Sequence, residues 1–161
     1  ARSCPRSASQ RATAHVTGDL ADFHARRIRL GVPDSPDFEP EKLMWLESNA
    51  DRLNGVSFTK GCFVGQEVVS RMKHRKTARR RVAIVAGEAP LPASNTSIEA
   101  DGKPVGTLGT VEGDKALAIV RIDRVADALA ENLAITADGV SVSLSLPEWS
   151  GLTFEAQSGG N

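Results

Sequence analysis

The sequence lacks tyrosine altogether, and aromatic side chains make up only 4% of its 161 residues. Proteins that bind single-stranded nucleic acid stack bases on aromatic side chains, so this composition argues against that class. No apolar run approaches the roughly 20 residues that a membrane-spanning helix needs. Basic and acidic residues balance at 20 each, so no net charge draws the chain to nucleic acid or to a membrane surface. These absences favour a globular protein without a membrane span.

Cysteine is scarce as well. Cys4 and Cys62 lie far apart, and the sequence contains neither a CxxC pair nor a histidine at ligand spacing from either one. A self-contained zinc site is therefore excluded, and a disulfide framework is disfavoured. The sequence predicts no metal site of its own and a reducing compartment.

The sequence pattern changes from helical to strand-like at about residue 78. Before that point, apolar spacing behind Asp19 predicts a helix that ends at Gly31 and Pro33, and residues 66–75 predict a second helix. From residue 79 onward, short apolar stretches alternate with turn signals at Asp101-Gly102 and Glu112-Gly113. The pattern predicts strands over residues 82–85, 116–122 and 140–146, and it predicts a short helix over residues 123–133.

This pattern predicts an α+β fold. A mixed α/β segment over residues 1–78 leads into a small antiparallel β-barrel over residues 79–149, and residues 150–161 form a flexible tail. We expect Trp45 and Trp149 to fill core positions or to cover the seam between the two regions.

Residues 73–81 hold six lysines and arginines and no acid. A run of this kind is usually a solvated face, and an anionic partner would meet the chain there. RNA, a polyglutamyl tail and an acidic protein surface remain as alternatives. RNA is the least favoured, because phosphate contacts alone give salt-sensitive binding without sequence preference.

The segment Lys60-Gly61-Cys62-Phe63-Val64-Gly65-Gln66-Glu67 stands at the start of the second helix. The positive end of that helix and Lys60 favour the reactive thiolate form of Cys62. Gly61 and Gly65 permit a positive φ and close approach of a partner. A buried structural thiol is the alternative. Glu67 and Arg71, four residues apart on one helix, predict an ion pair, with a contact to a ligand as the second possibility.

This segment resembles the signature of the YgfZ family, written K-G-C-aromatic-x-G-Q-E with an arginine four residues after the glutamate. Three further stretches also resemble the family: Phe23 to Pro33, Leu46 to Asn49 and Pro147 to Trp149. The resemblance therefore covers about residues 23–149. The chain departs from the family at Lys76, where relatives often have glycine.

The resemblance implies a fold shared with the glycine-cleavage aminomethyltransferase (GcvT-like) and a link to tetrahydrofolate. It implies an accessory factor that supports assembly or repair of [4Fe–4S] clusters in client enzymes, among them radical enzymes that thiolate tRNA. Cys62 would be the working thiol. The residues expected to line the folate side are Lys60, Gly61, Gly65, Gln66, Glu67 and Arg71. Folate would be held mainly by residues that a full family member carries ahead of Phe23.

An enzyme is the alternative, namely a folate-dependent aminomethyltransferase of the glycine-cleavage type, but the cysteine motif belongs to the accessory branch. Classical turnover is not required by any residue pattern. For location, the sequence favours bacterial cytoplasm, with the mitochondrial matrix as the alternative because residues 1–18 carry three arginines, several serines and no acid.

Overall fold

The computed structural model describes residues 18–38, 44–62, 64–74 and 79–154. These ranges hold three α-helices: α1 (Leu20–Leu30), α2 (Gln66–His74) and α3 (Ile122–Ala130). They also hold six strands: β1 (Arg80–Gly87), β2 (Ser97–Ala100), β3 (Lys103–Glu112), β4 (Lys115–Arg121), β5 (Ile135–Ala137) and β6 (Val140–Ser145). Three short 3-10 turns lie at Ser35–Asp37, Trp45–Ser48 and Glu148–Ser150.

The six strands form a closed barrel in the order β1-β4-β3-β2-β5-β6, and every pairing is antiparallel. Closure comes from β6, which pairs with β1 so that Val85 lies opposite Leu144. A closed barrel leaves no strand edge without a partner. The predicted α+β fold with a small antiparallel barrel is confirmed.

Strand β1 shows how the barrel acquires two apolar faces. Ala83 and Val85 point into the barrel core, whereas Val82 and Ile84 belong to a second apolar cluster that includes Ile28 of α1. Successive side chains of a strand point to opposite faces, so one strand serves both clusters. Helix α1 therefore covers the outer side of the barrel wall.

The turn signals place two hairpins. Asp101 and Gly102 have φ values of 49° and 70° and form the two-residue turn between β2 and β3, as predicted. The turn predicted at Glu112-Gly113 is displaced by one residue. Glu112 still pairs with Lys115, so Gly113 and Asp114 make the turn between β3 and β4.

Helix α3 is shorter than the predicted range of 123–133. The chain leaves the helix after Ala130, and Asn132 has a φ of 53°, which a helix does not allow. Leu133 continues the helical spacing in the sequence, but it packs against the barrel core from beyond the helix end.

The predicted tail begins too early. Ser150 is buried, and Phe154 packs against the barrel core, so folded chain extends beyond residue 149. Of the two predicted roles of Trp45, the core position is wrong, because the residue is 61% exposed. Trp149 does lie at a seam, where its indole Nε1 donates a hydrogen bond of 2.7 Å to the carbonyl oxygen of Leu30.

Helix α1 is fastened to the barrel by residues that the family resemblance singled out. The buried Arg27 guanidinium forms an ion pair with Asp37 and donates to the Thr110 hydroxyl of β3 at 2.7 Å. Gly31 ends the helix with a φ of 68° and lies against Pro147. The stretch from Arg27 to Pro33 therefore holds the fold together.

Cys4, the lead-in over residues 1–17 and the departure at Lys76 lie outside the described residues. Among the helices that the structure describes, none is long and apolar enough to cross a bilayer.

Candidate functional site

The loop ahead of α2 presents Cys62 to solvent. Its thiol is free and its side chain exposed, so the alternative of a buried structural thiol is wrong. Gly61 and Gly65 have φ values of 93° and 84°, and a Cβ at either position would meet no atom within 4 Å. Glycine is therefore required here by backbone conformation and not by crowding.

Helix α2 begins where this loop ends. The Val69 amide donates to the carbonyl oxygen of Gly65 at 3.3 Å, and the Lys73 ammonium lies 3.4 Å from the centre of the Phe58 ring. This cation–π contact connects the helix to the chain that precedes Cys62. Val64 is fully exposed and Val68 is half exposed, so apolar side chains flank the thiol in sequence and face solvent.

Glu67 and Arg71 form the ion pair that their spacing predicts. Both side chains are mostly exposed, at 82% and 60%, and such a pair contributes only about 0.3–0.5 kcal/mol to the stability of a helix. Its weak structural value leaves both side chains available for contact with a ligand or partner.

Four residues of α2 line one shallow depression: Gln66, Glu67, Ser70 and Arg71. The structure thus brings together three of the predicted site residues on one helix face. Lys60 and Cys62 are not among the lining residues and lie instead in the exposed loop ahead of the helix. Ser70 was missed by sequence reasoning, although its position four residues after Gln66 places it on the same face.

The stretch from Leu46 to Asn49 is structural. Glu47 is buried and accepts two hydrogen bonds from the Arg80 guanidinium, at 2.9 and 2.8 Å. The Asn49 amide nitrogen donates to the carbonyl oxygen of Val82 at 3.2 Å. These contacts fix the turn at Trp45–Ser48, against which α2 packs, to strand β1.

Some of the basic side chains in residues 73–81 also make contacts within the fold. Arg80 pairs with Glu47, and the largely buried Arg81 pairs with Asp51 at 2.9 Å and donates to the carbonyl oxygen of Leu46. Lys73 lies over Phe58, and residues 75–78 are outside the described ranges. At least three of the six charges in residues 73–81 therefore have partners within the fold.

Within the described residues, no cluster of three or more histidine, cysteine, aspartate or glutamate side chains could hold a metal ion. Cys62 could contribute one thiolate ligand, and any further ligands to a metal would have to come from a partner or from elsewhere.

The barrel matches a known domain family. Residues 79–152 match the family model described as "CAF17, C-terminal beta-barrel domain". The barrel is therefore similar to the CAF17 C-terminal domain. This similarity covers the strands and helix α3, whereas α1, α2 and the cysteine loop lie ahead of the matched range.

The relatives of the chain extend the similarity ahead of the barrel. The chain is 36% identical over 139 residues to "Iron-sulfur cluster assembly factor IBA57, mitochondrial" of Mus musculus, which covers 82% of the chain and 38% of that protein. The protein of the same name from Homo sapiens is 36% identical over 138 residues, with the same coverage. The Neurospora crassa homologue is 44% identical over 69 residues, or 40% of this chain and 16% of that protein.

The chain thus spans less than two fifths of the length of the mouse and human relatives that it matches. An alignment over 82% of the chain is longer than the part of the chain from residue 79 onward, so similarity to the IBA57 proteins includes residues that precede residue 79.

Proposed function

We propose that this chain acts in the assembly or repair of iron–sulfur clusters in client enzymes, with Cys62 as its reactive thiol. One observation carries the proposal: an exposed, free cysteine stands in a glycine-bracketed loop on a chain that is similar to iron–sulfur cluster assembly factors. Solvent exposure satisfies the first requirement of a thiol that must reach a partner protein.

The role of Cys62 follows from its surroundings. When the thiol loses its proton, the thiolate can donate an electron pair to an iron atom of a cluster in transit, as a temporary ligand. The exposed Val64, two residues further on, gives the loop an apolar contact point for a client surface. Clients that thiolate tRNA through a [4Fe–4S] cluster are the proposed class.

We also propose that α2 forms one wall of a tetrahydrofolate site. Gln66, Glu67, Ser70 and Arg71 offer amide, carboxylate, hydroxyl and guanidinium groups around one depression, and this donor set suits the hydrogen-bonding edge of a pteridine. Glu67 would accept from the pteridine amino group, and Lys60 would meet a carboxylate of the glutamate tail. The depression is open, whereas ligand sites bury most of their ligand, so the remaining walls must be supplied by other residues.

The decisive experiment measures a [4Fe–4S] tRNA-thiolating enzyme in cells that lack the endogenous factor. The cells receive the full-length gene with Cys62, Cys62→Ser or the control substitution Thr59→Ala, which changes an exposed residue ahead of the motif. We expect the control to restore thiolation and the serine variant to fail at equal protein level. Equal rescue by the serine variant would remove the thiol from the proposal.

A thiol assay separates loss of chemistry from loss of structure. In a Cys4→Ser background, Cys62 is the sole remaining cysteine and should react completely with a thiol reagent under native conditions. If Cys62 reacts only after denaturant is added, the exposed loop on which the proposal rests is not the state in solution.

An aminomethyltransferase remains the second candidate, favoured only by the proposed folate wall. It predicts that Glu67→Gln abolishes activity while Cys62→Ser leaves it intact, which is the reverse of the result expected for an assembly factor. For location, we propose the mitochondrial matrix in preference to bacterial cytoplasm, because the relatives carry mitochondrial names.

A further inference from the structure

A second concave site lies on the barrel, away from the cysteine loop. It is a cavity of about 270 Å³ between the turn at 35–38, strands β3 and β4 and the beginning of α3. None of its lining residues belongs to residues 60–71, so it is separate from the proposed thiol and folate face. Phe38, Pro104 and Ile119 give it an apolar wall, and Arg80, Arg121 and Arg124 give it a basic rim.

The rim keeps positive charge despite nearby acids. The Asp37 carboxylate also lines the cavity, but it is paired with the buried Arg27. Arg80 is paired with Glu47, and Arg121 is paired with Asp123 through hydrogen bonds of 3.1 and 2.6 Å. Arg124 differs, because its Nη1 donates to the carbonyl oxygen of Pro104 at 2.6 Å, and a carbonyl does not neutralise a guanidinium. Arg124 is also exposed, so its remaining donors can turn toward a ligand.

The beginning of α3 carries basic residues, which the N-terminus of a helix usually disfavours. Arg121 occupies the N-cap of the nine-residue helix α3 without a side-chain capping bond, and Arg124 lies in the first turn. The N-terminus of a helix carries partial positive charge and favours acids, so two arginines here are unfavourable unless an anion joins them. Asp123 offsets one of them, and Arg124 is left without an acidic partner among the described residues.

We propose that this cavity binds a small organic anion, with a carboxylate or phosphate head on a flat apolar body. The anionic head would lie between Arg121 and Arg124 at the beginning of α3, where charge-assisted hydrogen bonds and the helix end act together. The flat body would lie on the wall formed by Phe38 and Ile119. Ligand pockets for drug-sized molecules begin at about 300 Å³, so the volume limits the ligand to one ring or its equivalent.

The test is a titration of the isotope-labelled chain followed by amide chemical shifts. Phenyl phosphate and benzoate are the two anionic probes, inorganic phosphate tests the head alone, and benzyl alcohol tests the ring alone. We expect saturable shifts in β3, β4 and the first turn of α3 with at least one anionic probe, and weaker binding of both partial probes. The two anionic probes distinguish phosphate from carboxylate as the preferred head.

Variants locate the binding. Arg124→Gln should weaken the anionic probe about tenfold, the loss expected for one charge-assisted hydrogen bond. Arg124→Lys should recover part of that loss, and Arg26→Gln, which removes an exposed arginine of α1, should leave the affinity unchanged. Arg124 is exposed, so these variants should keep the spectrum of the parent chain.

Several outcomes would overturn the proposal. One is the absence of saturable shifts with either anionic probe, and another is equal affinity for Arg124→Gln and the parent. Binding of inorganic phosphate as tight as that of phenyl phosphate would refute the apolar wall. Binding of benzyl alcohol as tight as either anion would refute the basic rim, and this comparison needs no variant at all.

Discussion

At the scale of single residues, much of what resembles the family signature outside residues 60–71 serves packing. Arg27 and Glu47 are buried in ion pairs, and Asn49 is fully buried with its amide on the Val82 carbonyl oxygen. Gly31 is the clearest case, because a Cβ at this position would lie 2.4 Å from Cγ of Pro147. Residues that look diagnostic in the sequence therefore need not touch a ligand.

Gly31→Ala tests this interpretation. The substitution adds both a left-handed backbone penalty, at φ of 68°, and a clash with a proline ring that cannot rotate away. We expect a loss of about 2–4 kcal/mol in the free energy of unfolding, measured with urea. Gly151→Ala is the matched control, since φ is 60° but nothing lies within 4 Å, and it should cost only about 1 kcal/mol. Equal losses for both would show that Pro147 does not crowd Gly31.

The ion pair of Asp123 predicts that the stability of the fold depends on pH. The hydrogen bonds from the Arg121 guanidinium hold the pKa of Asp123 below its usual value of about 3.9, against the opposing effect of burial. A lowered pKa in the folded state stabilises the fold above the unfolded-state value, and that contribution is lost as the pH falls through the folded-state value. Both side chains are about one third exposed, so the effect is below about 1 kcal/mol.

The measurement is the difference in unfolding free energy between the parent chain and Asp123→Asn. We expect the parent to be the more stable at pH 7, and the difference to shrink as the pH is lowered below about 4. Asp127→Asn, on the exposed side of the same helix, is the control for helix charge. A difference that stays constant from pH 7 to pH 3 would show that the ion pair does not stabilise the fold.

At the scale of elements, the irregularity in β3 explains how the N-terminal segment attaches to the barrel. The register between β3 and β4 shifts between Leu108 and Val111, and Gly109 sits in this interval. A Cβ at Gly109 would lie 2.9 Å from Oδ1 of Asp37, while the Thr110 amide donates to the same oxygen at 2.8 Å. The bulge thus makes room for one buried carboxylate and supplies a donor to it.

Asp37→Asn should loosen this attachment. The change leaves the Arg27 guanidinium buried without its counter-charge, and breaking a buried pair in this way costs about 3–5 kcal/mol. Urea unfolding of Asp37→Asn against Glu67→Gln measures the contrast, because Glu67 belongs to an exposed pair whose loss should cost under about 0.5 kcal/mol. Similar losses for the two variants would contradict the structural role of Asp37.

The elements that the sequence predicts well are those with a complete local pattern. Strand β6 alternates valine or leucine with serine over its whole length, and α1 has Asp19 at one end and Gly31 at the other. Strands β2 and β5 have four and three residues, which is too short for a period to show. The pairing of Asp37 with Arg27 and Thr110 has no signal in one sequence, since 73 residues separate Asp37 from Thr110.

The same limit applies to the candidate site. The Glu67–Arg71 pair follows from local spacing, because the two residues lie one helical turn apart. Spacing left open whether Cys62 is exposed or buried, and the structure shows it exposed. The cavity lined by Arg121 and Arg124 joins a turn near residue 37 to strands some 70 to 80 residues later. Only the closed order of the barrel brings these residues together, and that order was not predictable from strand signals alone.

At the scale of the whole molecule, the segment that follows the last strand meets the end of helix α1. Pro147 and Trp149 follow the last strand and meet Gly31 and Leu30 at the end of α1. Ser150 is fully buried behind them, with its hydroxyl donating to the Pro147 carbonyl oxygen at 2.6 Å. Because α1 also packs on β1 and β4 through Ile28, we infer that helix and barrel unfold as one cooperative unit.

The two tryptophans make this inference measurable. Trp45 is largely exposed, so Trp45→Phe removes the less informative probe and leaves Trp149 as the only tryptophan of the chain. Trp149 fluorescence then reports the seam with α1, while far-ultraviolet circular dichroism reports the backbone structure of the helices and the barrel together. In urea, we expect the two transitions to share one midpoint, since opening the seam exposes Ile28 and leaves the Arg27–Asp37 pair unsupported. A fluorescence transition at clearly lower urea would show that α1 detaches while the barrel stays closed, and the barrel would then be an independent folding unit.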